Sequence, residues 1–175
     1  MQPDLENVKK KIQENRDLVG KIKAKFPGYA GYVEKAETYD ADRVVRGLLA
    51  DRLGTVKGAV NEKSAALAQK KDRAVLPDLD ALSLKLESVI RKCLHADFGK
   101  VAALSGMKLS DDNVNRLLEY DWRLISALDE LEKGAGALRA AAPETLSQVI
   151  GGISDTLRDF EKKFDERKNV LLEVV

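Results

Sequence analysis

The chain has little of almost everything that catalysis uses. In 175 residues it holds one cysteine, one histidine, one tryptophan and four prolines, and aromatic residues make up only 5%. With Cys93 alone, an internal disulfide is excluded. With His95 alone, the paired Glu-x-x-His motifs of a di-iron carboxylate bundle cannot be assembled. The same histidine is the only imidazole for a serine or cysteine nucleophile, and no glycine-flanked nucleophile elbow accompanies it. The glycine clusters at 28–31, 134–136 and 151–152 lack the lysine and hydroxyl of a phosphate loop.

An excess of charge of one sign is also missing. Thirty basic residues stand against 29 acidic ones, a formal charge of +1, so the overall field does not favour nucleic acid as a partner. Apolar runs extend only a few residues, far short of the ~20 that a membrane span requires. The start, Met1-Gln2-Pro3-Asp4-Leu5-Glu6, is polar and has no apolar export region, which leads to the expectation of a soluble, cytoplasmic protein.

What is present is a helical pattern. Hydrophobic residues are 44% and charged residues 34%, the balance of chains that build long helices around an aliphatic core. The expected fold is all-α: an elongated antiparallel helical bundle with four substantial helices plus a weaker amino-terminal helix. One domain over 1–175 is expected, with 1–25 loosely attached.

Five segments carry the period. Leu5 to Lys25 is weakly amphipathic and ends at Pro27 and Gly28. A spine from Tyr32 to about Lys71 places Val45, Leu49, Leu53, Val56, Val60 and Leu67 on one face. Gly54 and Gly58 within it are read as sites of close helix approach. A third helix opens near Asp78 after Pro77 and carries Leu79, Leu82, Leu86, Val89, Ile90 and Cys93 before Gly99. After an irregular connection from Asp97 to Leu109, Ser110 caps a fourth helix, with Asp111 and Asp112 at its positive end. Pro143 starts a fifth, whose stripe is Leu146, Ile150, Ile153, Leu157, Phe160, Phe164, Arg167 and Leu171.

The short link before Pro143 makes the fourth and fifth helices an antiparallel pair. Their register brings Gly134 and Gly136 opposite Gly151 and Gly152, where close backbone packing is expected. It also brings Asp121, a carboxylate on a seam where leucine belongs, within a turn of Phe164 and Arg167. A carboxylate there needs a partner, with Arg167, Arg43 or a tyrosine hydroxyl as candidates. Setting the register is the simplest role for such a pair.

Cys93, His95 and Asp97 invite a metal reading, but residues two apart on a helix point in different directions. A core thiol beside a solvated histidine is the simpler assignment, and no metal or cofactor is expected. The segment Lys25-Phe26-Pro27-Gly28-Tyr29-Ala30-Gly31-Tyr32 is the least generic of the chain. Followed by Tyr39, Asp40 and Arg43, it forms either a recognition surface of rigid rings and directing charges or a turn sealing the bundle.

The stretch from Phe26 to Leu53, with Phe-Pro-Gly-Tyr-Ala-Gly-Tyr, Glu34, Ala41-Asp42-Arg43 and Leu48-Leu49, resembles a segment of a group of small uncharacterised prokaryotic helical proteins. Leu117-Leu118-Glu119-Tyr120-Asp121 with Leu124 and Leu128 resembles a second segment of that group. The resemblance covers about a third of the chain. It implies the helical fold and carries over no activity, cofactor or catalytic residue.

Three functional expectations follow. The first is a non-enzymatic scaffold or interaction protein, acting on a protein partner or by self-association. The second is a small-ligand or enzymatic pocket made by Phe26, Tyr29, Tyr32, Tyr39, Asp40, Arg43, Asp121 and Arg167. The third is peripheral membrane association through the lysines of the first helix, Lys9, Lys10, Lys11, Lys21, Lys23 and Lys25.

Overall fold

The computed structural model describes residues 20–21, 38–96 and 111–173. The described residues contain four long helices and no strand: α1 (Thr38–Gln69), α2 (Leu76–His95), α3 (Asp111–Ala140) and α4 (Leu146–Glu173). Gly20 and Lys21 are helical; the remainder of the Leu5 to Lys25 segment, the Phe26 to Tyr32 stretch and the connection 97–110 lie outside the described residues. The all-α bundle expected from the periodicity is present.

The apolar stripes become one continuous core. In α1 all six spine positions, Val45, Leu49, Leu53, Val56, Val60 and Leu67, are buried. They meet Leu79, Leu82, Leu86, Val89 and Cys93 of α2 and the leucines and isoleucines of α3 and α4. Phe160 and Phe164 stack within it, their centroids 6.4 Å apart. At ~1.5 Å per residue, the 32 residues of α1 extend about 48 Å.

The helix ends have local causes. Lys71 takes a left-handed conformation (φ 59°) that stops α1. Its amide donates to Ala68 O at 3.1 Å and that of Asp72 donates to Leu67 O at 3.1 Å, the paired bonds that close a helix at a left-handed residue. Pro77 lies in the first turn of α2, where a missing amide proton costs nothing. Helix α2 ends at His95 because Ala96 turns extended, with ψ 114°. Pro143 opens a single 3₁₀ turn, Pro143–Thr145, rather than the α-helix itself.

Side-chain pairs fix the directions. Lys57 with Glu87, and Ser83 with Asn61, hold α1 and α2 antiparallel. Tyr120 with Glu166, and Gly134 against Ile153 further along, show the same for α3 and α4. Between these two hairpins the neighbours are parallel: α1 meets α3 through Arg52 with Glu132 and Arg139 with Glu62, and α2 meets α4 through Lys85 with Glu161 and Lys92 with Asp165. The bundle therefore runs α1, α2, α4, α3 around its perimeter. Helices α2 and α3, consecutive in the chain, therefore stand at diagonally opposed corners.

The glycine expectations are partly corrected. A Cβ on Gly134 would lie 2.8 Å from Ile153 Cγ1, so this glycine does allow close approach of α3 and α4. Gly136, Gly151 and Gly152 face open space instead, and so do Gly54 and Gly58 of α1.

Candidate functional site

The polar groups buried in the described core gather at the end of the bundle where α1 and α3 begin and α2 and α4 finish. Asp121 occupies the α3 seam one turn before Leu124 and Ile125, and Arg167 follows Phe160 and Phe164 on the α4 seam. Arg167 Nε donates to Asp121 Oδ1 at 2.7 Å, and both side chains are wholly buried. Of the candidate partners named from sequence, Arg167 is the one that binds this oxygen. One residue earlier on each helix, Tyr120 Oη donates to Glu166 Oε2 at 2.6 Å, so buried and exposed polar rungs lie side by side. Burial, reinforced by that hydrogen bond, pushes the Tyr120 hydroxyl up to about 12. The Arg123 guanidinium stands 5.9 Å over the Tyr120 ring.

Arg46 is the element that sequence reasoning missed. It is buried and its Nη1 donates to Cys93 O at 2.9 Å and Leu94 O at 3.0 Å, placing a cation on the negative end of α2. The signal was available: Arg46 precedes Leu49, Ala50 and Leu53 by three, four and seven residues, which puts it on the apolar seam as surely as Asp121 lies on its own. Lys63 caps α3 in the same way, donating to Ala141 O at 2.9 Å.

Cys93 completes this end. Burial pushes its thiol up to about 12, against the opposing fields of Arg46 and Arg167, so it is a thiol and not a thiolate at neutral pH. Cys93 is buried while His95 is exposed, and Asp97 lies outside the described residues. Among the described residues no group of three or more His, Cys, Asp or Glu side chains could hold a metal ion. No helix among them is long and apolar enough to cross a membrane.

No protein-family model, curated protein or solved structure matches the chain. The eight predicted site residues therefore stand on geometry alone. Asp121 and Arg167 come together, but as core groups with no exposed side-chain surface. Arg43 is exposed on α1. Tyr39 and Asp40 belong to the first turn of α1 with their side chains outside the described set, as are Phe26, Tyr29 and Tyr32.

The outer faces are laced by ion pairs between helices. Arg52 forks onto Glu132, with Nε to Oε1 at 2.7 Å and Nη2 to Oε2 at 2.6 Å, and reaches Asp129 at 2.8 Å. Glu161 is held below the usual carboxylate range by its hydrogen bond from Lys85 and, against some desolvation, by Lys92. Lys92 is itself raised, because Asp165 and Glu161 together outweigh the desolvation that opposes them. Chemically, these arrangements orient helices and fix register.

Proposed function

We propose that the protein is a non-enzymatic helical scaffold that acts by binding other macromolecules. The observation that supports this best is the use made of its buried polar groups: Asp121 is bound by Arg167, and Arg46 by the carbonyls of α2, so each serves helix placement. What such a frame presents outward is a set of long, rigid, charged helix faces, held in fixed relation by pairs such as Arg52 with Glu132 and Lys92 with Asp165. Rigid faces of this kind lose little conformational entropy when a partner docks.

The test is in-cell crosslinking of the full chain followed by identification of the attached protein. The expected result is one reproducible partner, this chain included, whose capture is lost in the Tyr29→Ala/Tyr32→Ala variant while the melting curve is unchanged. Co-purification of a small molecule at one per chain, with its chemical turnover, would overturn the reading.

A further inference from the structure

The buried polar bonds described above each lie inside one hairpin. Arg46 binds the carbonyls of Cys93 and Leu94, which ties α1 to α2, and Arg167 binds Asp121, which ties α4 to α3. A movement of one hairpin against the other breaks neither. Such a movement is resisted by the two seams between hairpins, α1–α3 and α2–α4, and these are built unequally.

Along α1–α3, Arg52 is only 19% exposed and forks onto Glu132 while reaching Asp129. Further along, Arg139 meets Glu62 and Lys63 donates to Ala141 O. Along α2–α4 the ion pairs are made by lysines. Lys85, 47% exposed, meets Glu161, and Lys92 bridges Glu161 and Asp165 at 3.3 and 2.7 Å. An ammonium is a hydrated point charge without the forked geometry of a guanidinium, and water weakens an exposed pair strongly. Helices α2 and α4 also pack on one another least extensively of the four neighbouring pairs. Towards their starts they part around an open groove of about 430 Å³, lined by Leu82 and Ile150.

We propose that the α2–α4 seam is an opening built into the bundle: the two hairpins swing apart there as intact units, hinged along α1–α3, with Lys85 and Lys92 as the latch. The open state wets Leu82, Ile150 and their core neighbours, so it is a minor state. Its population is set by the latch and not by the stability of the hairpins themselves.

The single native cysteine reports on this opening. Cys93 is fully buried and feels the charges of Arg167 and Asp165 from α4, so a thiol reagent reaches it when the seam parts. The rate at which an aromatic disulfide reagent in excess labels Cys93 in the full chain, relative to the denatured chain, gives the open fraction. Denaturant titration gives the globally unfolded fraction. The open fraction should exceed the unfolded fraction by more than about tenfold. Lys85→Gln/Lys92→Gln should raise the open fraction by a further three- to tenfold or so. Arg52→Gln, on the hinge side, should raise the unfolded fraction and leave the open fraction unchanged.

A second reporter separates opening from fraying of the last turn of α2. Val89 is buried one heptad beyond Leu82, and Val89→Cys in a Cys93→Ala background should label with the same dependence on the latch. Labelling that follows the unfolded fraction in every variant overturns the proposal. Labelling of Cys93 without labelling of the Val89→Cys chain overturns it too, because only the end of α2 would then be loosening.

Discussion

The two ends of this bundle are held by different means. Where α1 and α3 begin, the core contains Arg46, Cys93, Asp121 and Arg167, and directional bonds determine which residue meets which. Towards the other end the core is aliphatic, with Leu67, Leu79, Leu138, Leu146 and Ile150, and its fit depends on shape, including Gly134 pressed on Ile153. An aliphatic seam tolerates a slip of one turn more readily than a buried ion pair does, because any leucine can replace another as a neighbour. The polar end is thus where the register of α3 against α4 is decided.

Removing the pair should have the largest effect. Asp121→Ala leaves the Arg167 charge buried and should cost roughly 3 to 5 kcal/mol. Chemical denaturation midpoints of Asp121→Ala, Arg167→Ala and the double variant measure it, and the double variant should recover part of the loss. A change below about 0.5 kcal/mol for Asp121→Ala would remove the contrast between the two ends.

A smaller effect tests shape at the aliphatic end. In Gly134→Ala the new methyl would press on the stiff, β-branched Ile153, and the strain of about 1 to 3 kcal/mol should outweigh the helix-propensity gain of up to ~1 kcal/mol. Gly58→Ala meets open space and should stabilise by up to ~1 kcal/mol. Thermal melts of the two variants should shift in opposite directions. Equal shifts would mean that α3 and α4 do not approach as described.

At neutral pH the smallest effect is that of the Cys93 thiol at the polar end, whose contribution changes only in alkali. Burial holds the Cys93 thiol at about 12 in the folded chain, above the value of about 9 that a thiol takes in water. Above about pH 9 the unfolded chain therefore loses this proton while the folded chain keeps it, and stability falls as pH rises. The slope from this group approaches about 1.4 kcal/mol per pH unit between about pH 9 and 12. Comparing Cys93→Ala with the parent chain across that range isolates it. Identical slopes would show that the thiol is reached by water.

Much of this was legible in the sequence. The stripes of α1, α2 and α4 came from a 3.6-residue period that leaves one solution, burial of one face, and every described residue of those stripes is buried or half-buried. Asp121 announced itself because a carboxylate on an apolar seam must be paired. Arg46 was equally announced but is harder to see, since arginine is frequent on helices and its long stem lets it snorkel to solvent. The roles of the glycines were least legible: Gly134 and Gly136 differ by two residues, so they point to different sides of α3, and only a placed neighbour distinguishes contact from open space.

The sequence by itself determined four described helices, their apolar faces, and the antiparallel pairing of neighbours joined by short links. Helical periodicity and loop length are local properties, and no distant residue is needed to read them. Only the tertiary structure decided that the two hairpins lie with α1 beside α3 and α2 beside α4, both parallel. That choice depends on pairs such as Arg52 with Glu132 and Lys85 with Glu161, eighty and seventy-six residues apart, which no local pattern selects.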